Sequence, residues 1–93
     1  MGVSPKRRYY FLKSSLRNLL IAEKWLVKAG RTKVARKIEE IVNEIWLEMN
    51  ALEKELGMKE TKLVGIKRKL LETWHAAGEI SKKEKEKLER VML

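Results

Sequence analysis

Apolar residues recur at intervals of three and four along most of the 93-residue chain, and glycines interrupt the pattern at three points. This spacing is typical of amphipathic helices, because it places the apolar side chains on one face. Gly30, Gly57 and Gly78 each follow such a run and suit the left-handed position just past a helix end. The pattern predicts an all-α fold, an elongated antiparallel helical hairpin or three-helix bundle with a short C-terminal helix. The predicted helices span residues 5–29, 32–56, 59–77 and 81–92.

The first predicted helix has one apolar face and one basic face. Ser4 followed by Pro5 suits an N-cap and the first helical position. The expected core face contains Tyr9, Leu12, Leu16, Leu19, Leu20, Leu26 and Val27. A second stripe, which also steps by three and four, contains Lys6, Tyr10, Lys13, Arg17, Ile21, Lys24 and Lys28. One side of this helix therefore faces a core, and another side carries positive charge.

The second predicted helix has a regular apolar seam and an acidic ridge. Thr32 is the expected N-cap. The seam alternates steps of four and three through Ile38, Val42, Ile45, Met49, Leu52 and Leu56. Such a seam predicts antiparallel helical neighbours. Glu40, Glu44 and Glu48 lie on its flank, where they are available to lysines of a neighbouring helix or subunit.

The third and fourth predicted helices form a shorter pair. The third is expected to bury Leu63, Ile66, Leu70, Trp74 and Ala77, with Leu71 about a quarter-turn or more away. Ser81 and Glu84 have the spacing of a capping box and predict the start of the last helix. The segment from Leu70 to Leu88 resembles short helical hairpins, such as SHOCT modules, at the ends of oligomeric proteins. The resemblance implies a helical hairpin and nothing about activity.

Charge is segregated along the chain, whose formal net charge is +9. Residues 1–37 contain eleven lysines and arginines and a single acid, Glu23, whereas residues 38–56 contain six glutamates and one lysine. All thirteen acids are glutamate, and cysteine is absent. Lysine and glutamate enrichment without thiols is typical of heat-adapted proteins, and it favours a thermophilic archaeon or its virus as the source.

Four cations crowd the predicted start of the second helix. Arg31, Lys33, Arg36 and Lys37 lie at the positive end of its dipole, where each exposed cation costs about 0.3–1 kcal/mol. A polyanion would relieve this repulsion, because free amides at a helix N-terminus also favour anions. The turn is therefore a candidate phosphate site.

These observations favour a non-enzymatic nucleic-acid-binding protein, a small subunit of a nucleoprotein or ribonucleoprotein assembly. It would contact the phosphate backbone of either DNA or RNA without reading sequence. Tyr10 suits stacking on an unpaired base. The candidate nucleic-acid-binding residues are Lys6, Arg7, Arg8, Tyr10, Lys13, Arg17, Lys24, Lys28, Arg31, Lys33, Arg36 and Lys37.

Three other interpretations fit the same charges. A homo-oligomeric scaffold or adaptor would pack the basic first helix against the acidic second helix of another subunit. A membrane-surface protein would lay the first helix on anionic lipid, although its leucine face is also needed for a core. A lysine-rich surface of a thermophilic protein would simply be solvated.

Catalysis, cofactors and metal binding find no support in the sequence. His75 is the single imidazole, and there is neither cysteine nor aspartate to complete a metal site. Small helical bundles such as chorismate mutase do line a pocket with arginine and lysine, but no nucleophile or phosphate-loop motif occurs here. No stretch has the roughly 18 apolar residues of a membrane span, so a cytoplasmic protein is expected.

Overall fold

The structure is a computed structural model that describes residues 2–93, and these residues form four α-helices joined by short turns. The helices are α1 (Pro5–Lys28), α2 (Thr32–Glu55), α3 (Leu63–Ala76) and α4 (Lys82–Met92). The prediction of an all-α chain is confirmed over this range. The molecule is elongated, with principal extents of 43 × 23 × 18 Å.

The ends of α1 are fixed by local chemistry. The Ser4 hydroxyl accepts a hydrogen bond from the Arg7 amide at 3.3 Å, and Pro5 occupies the first turn. Gly30, with a φ of +76°, then reverses the chain in a conformation that a side chain would strain. The predicted N-cap of α2 is wrong, because Arg31 holds that position, Thr32 is already helical, and no side chain caps the helix.

α1 and α2 pack against each other along their length. The Tyr9 hydroxyl, near the start of α1, donates a hydrogen bond of 2.8 Å to Glu53, near the end of α2, so the two helices run in opposite directions. The core residues that these two helices bury most completely are Tyr9, Leu16, Leu20, Val27, Ala35, Val42, Met49 and Leu52.

α3 starts four residues later than predicted because Thr61 forms hydrogen bonds with Glu53. Its amide donates to the Glu53 carboxylate at 3.0 Å, and its hydroxyl donates to the same group. These bonds hold the chain extended into Lys62, whose φ and ψ are −99° and 106°. The expected burial on α3 is also partly wrong, since Leu71 is buried and Ala77 is exposed.

α4 explains the burial of Leu71, because it packs against the flank of α3 as well as against α1 and α2. Both hydrogen bonds of the predicted Ser81–Glu84 capping box are present. Leu88, Val91 and Met92 are buried against the other helices. α3 and α4 therefore cover one side of the α1–α2 pair.

Candidate nucleic-acid interface

Exposed basic side chains form two groups at opposite ends of α1. We call Lys6, Lys13, Arg17 and the interleaved Tyr10 the N-terminal basic patch. The four basic residues after Gly30, which are Arg31, Lys33, Arg36 and Lys37, form the turn patch. Because a 24-residue helix is about 36 Å long, the two patches lie at separate ends of the molecule.

The N-terminal basic patch occupies one side of α1. Its four residues step by three and four positions, and all four are exposed. Arg7 and Arg8 are exposed too, but successive residues of a helix turn by about 100°, so these two arginines point away from the stripe. They add charge to this end of the molecule from other sides.

Two adjacent tyrosines in this patch have different environments. Tyr9 is buried, and burial raises the pKa of its hydroxyl, which donates to Glu53. Tyr10 is 50 % exposed and meets the Tyr9 ring edge to face, with centroids 5.7 Å apart. The buried ring therefore supports the exposed one, so Tyr10 presents an aromatic surface beside cationic side chains.

α3 contributes a basic residue to this patch that the sequence analysis did not include. Lys69 lies across a cleft of about 440 Å³ from Lys13 and Arg17. Leu16, Ile66 and Leu70 form the apolar part of its wall. The periodicity of α3 alone does not show which helix Lys69 faces.

Lys24 does not belong to an exposed basic face, and this part of the expectation is wrong. Its side chain is buried, and Nζ donates to the Glu79 carboxylate at 2.8 Å. The same ammonium group lies 4.6 Å from the centre of the Trp25 ring and 5.2 Å from that of Trp74. Glu79 of the corner between α3 and α4 and Trp74 of α3 therefore cover Lys24, and Trp25 of α1 adds a second cation–π contact.

Lys28 is bound by the same corner. Its Nζ donates to the Glu79 backbone carbonyl at 2.7 Å and to the Glu84 carboxylate at 3.2 Å. Hydrogen bonds from the Ser81 amide and from Lys28 lower the pKa of Glu84 below its usual value. Lys28 is thus partly neutralised within the molecule, and the predicted continuous stripe is divided into two patches.

The turn patch has no such intramolecular partners. Within residues 2–93, none of its four side chains forms a salt bridge, and the first turn of α2 contains no acid. All four residues are exposed. Among the described residues, no ion pair therefore offsets their mutual repulsion at the positive end of α2.

Glu23, the single acid in the first 37 residues, is fully buried. Burial, followed by the neighbouring Glu39 carboxylate, raises its pKa to about 9. Lys67 donates to Glu39 and, at 2.9 Å, to the Met92 carbonyl. Glu23 is therefore protonated at neutral pH, and the surface contributed by residues 2–37 carries positive charge without any carboxylate.

Within residues 2–93, no group of three or more acids, histidines or cysteines is placed to hold a metal ion. His75 is exposed on α3. No helix in this range combines the length and the apolar character needed to cross a bilayer.

Comparison with known proteins gives no relative. No protein-family model matches the sequence, and no curated protein or solved structure matches it.

Proposed function

We propose that this protein is a non-enzymatic nucleic-acid-binding protein that contacts the phosphate backbone, acting as a small subunit of a nucleoprotein or ribonucleoprotein assembly. The observation that carries the proposal is the charge of the α1 and turn surface. Ten of the eleven basic residues in this segment are exposed, and its one acid is buried and protonated. Ion-pair networks on heat-adapted surfaces mix both signs, so a surface of one sign favours a polyanionic ligand.

The proposed mechanism is contact by charge and shape. Lysine and arginine side chains neutralise phosphates and release condensed counterions, which gives affinity without sequence preference. The proposed arrangement is an elongated antiparallel α1–α2 hairpin, with α3 completing a three-helix bundle and α4 as the short C-terminal helix. In this arrangement a strand that follows the molecule would meet the N-terminal basic patch and then the turn patch.

Charge reversal of the turn patch tests the proposal. The variant changes Arg31, Lys33, Arg36 and Lys37 to glutamate, and the matched control changes Lys59, Lys82, Lys83 and Lys87, which are also exposed. Both variants alter the net charge equally. Affinity for labelled DNA and RNA oligonucleotides is measured by fluorescence anisotropy, with helicity checked by circular dichroism.

We expect the turn variant to lose at least about tenfold in affinity and the control to lose much less, because local phosphate contacts outweigh overall charge. Equal losses in the two variants would show that the turn patch is not a phosphate site. A wild-type protein that binds neither DNA nor RNA at low salt would overturn the function itself.

A homo-oligomeric scaffold is the second candidate, and exposed apolar side chains on α2 favour it. Val34 and Ile41 are 39 % and 43 % exposed. Ile41 follows Glu39 by two residues and so projects about 200° from the side that meets Lys67 of α3. Val34 precedes Glu39 by five residues and projects about 140° from the same side, so both side chains lie away from α3, where a second copy would cover them.

Mass measurement by light scattering tests this candidate. If subunits assemble through acidic and basic helix faces, changing Glu40, Glu44 and Glu48 to lysine should dissociate the oligomer. A wild-type protein that is monomeric at tens of micromolar would contradict the scaffold function.

A further inference from the structure

The cleft between α1 and α3 has the features of a small ligand site. Its volume of about 440 Å³ lies within the range of about 300–1,000 Å³ that is usual for such sites. Its wall is apolar at Leu16, Ile66 and Leu70. None of the described residues that line it is acidic, and Lys13, Arg17 and Lys69 bring positive charge to it from two helices.

Two other clefts differ in charge. One of about 800 Å³, between α2, α3 and α4, contains Glu39 and Lys67, which already bind each other. A smaller cleft of about 240 Å³ between α3 and α4 has two basic and two acidic residues in its wall. Of these three clefts, the α1–α3 cleft is therefore the one whose lining charges are all positive.

An aromatic residue lies about one helical turn before Lys13, which lines this cleft. Tyr10 precedes Lys13 by three residues and Arg17 by seven, so all three lie along the same side of α1. Half of the Tyr10 side chain is exposed, and its contact with Tyr9 fixes its position. A nucleotide base stacks on an aromatic surface and fits an apolar cavity, and its phosphates bind cations. These three features together therefore match the parts of a nucleotide.

We propose that the α1–α3 cleft and Tyr10 bind unpaired nucleotides, with bases held by Tyr10 and the apolar wall and phosphates held by Lys13, Arg17 and Lys69. The inference rests on the proposed nucleic-acid function and specifies its substrate as single-stranded. Bases in a duplex are paired and stacked, so they cannot enter the cleft. Backbone contact alone would not distinguish a strand with bases from one without.

The first test compares four labelled oligonucleotides of equal length on the wild-type protein. These are a single-stranded DNA and a single-stranded RNA of the same mixed sequence, a DNA duplex of that sequence, and a DNA strand made of abasic sites. We expect the single strands with bases to bind at least about fivefold more tightly than the abasic strand, in line with the usual effect of base stacking. Equal affinities for the two kinds of strand would overturn the cleft proposal and leave the phosphate-binding function standing.

Two pairs of adjacent substitutions locate the site. Tyr10→Ala should weaken binding to the single strand at least about fivefold, whereas Phe11→Ala, at an equally exposed aromatic on another face, should change it little.

Lys69→Met should weaken binding to both kinds of strand, because it removes a phosphate contact, and Arg68→Met should not. If the two variants of each pair lost equal affinity for the single strand, the cleft would not be the site. If the wild-type protein bound no oligonucleotide, both the cleft proposal and the function on which it rests would fall.

Discussion

Glu23, Glu39 and Lys67 are buried together where α1, α2 and α3 meet. One ammonium group cannot neutralise two carboxylates, so the pair retains a proton, and the pKa of Glu23 rises to about 9. Between the ordinary carboxyl pKa and this value, the folded protein binds more protons than the unfolded chain. The contribution of Glu23 to stability is therefore complete in acid and falls as the pH rises through this interval.

Replacing Glu23 by glutamine should reduce this pH dependence. The amide keeps the shape of the carboxyl group and a donor for Glu39 but does not titrate. We expect the free energy of unfolding of the wild-type protein to lose up to about 1.4 kcal/mol per pH unit between about pH 5 and pH 9, and that of Glu23→Gln to lose much less. Guanidine denaturation at several pH values measures both. Glu40→Gln, at an exposed position, should follow the wild-type curve, and parallel curves for all three proteins would contradict the account.

Residue-level roles were only partly predictable from the sequence. The outward position of Tyr10 and the burial of Tyr9 follow from helical periodicity, because neighbouring residues differ by about 100° in direction. The burial of Lys24 does not, since its partners Trp74 and Glu79 come from α3 and the turn after it, 50 or more residues further along the chain. Lys69 was missed for the same reason: its place in the basic surface depends on where α3 docks.

The α3–α4 corner is the element that divides the basic face of α1. It binds Lys24 and Lys28 through Glu79 and Glu84, and its geometry depends on the capping box that starts α4. The Ser81 hydroxyl accepts from the Glu84 amide at 3.1 Å, and the Glu84 carboxylate accepts from the Ser81 amide at 2.8 Å. Glu84 therefore serves both the cap and the contact with Lys28.

Removing this cap should loosen the corner. We expect Ser81→Ala to lower the free energy of unfolding by about 1 kcal/mol, because an amide at the start of α4 loses its acceptor. Ser14→Ala, at an exposed position inside α1, is the control and should change stability by less than about 0.5 kcal/mol. Thermal denaturation followed by circular dichroism measures both variants. A Ser81→Ala protein as stable as the wild type would show that the cap does not hold the corner in place.

The positions at which the helices end were more predictable than the positions at which they begin. The glycines after α1, α2 and α3 have positive φ values, in line with the predicted helix ends. The start of α3 was predicted at residue 59, whereas the structure begins it at Leu63. Glu53 binds the amide and hydroxyl of Thr61, and these bonds lower the pKa of Glu53 below its usual value although burial alone would raise it. Such a tertiary contact leaves no signal in the local pattern of apolar residues.

At the scale of the whole molecule, the proposed function depends on charge that the fold leaves exposed. The acids of α1 and α2 that face the core, which are Glu23, Glu39 and Glu53, are buried, while the basic residues of the two patches remain in solvent. The sequence alone predicts this segregation of charge. It does not predict that the basic surface has two parts, because that division results from the docking of α3 and α4.

The salt dependence of nucleic-acid binding tests the central claim most directly. Affinity of the wild-type protein for one single-stranded oligonucleotide is measured by anisotropy between about 50 and 300 mM salt. If about five phosphates are neutralised, the logarithm of the binding constant should fall against the logarithm of salt concentration with a slope of about −3.5. A linear fall of this size is the result that the account predicts. Affinity that stays constant across the series, or no binding at the lowest salt, would contradict it.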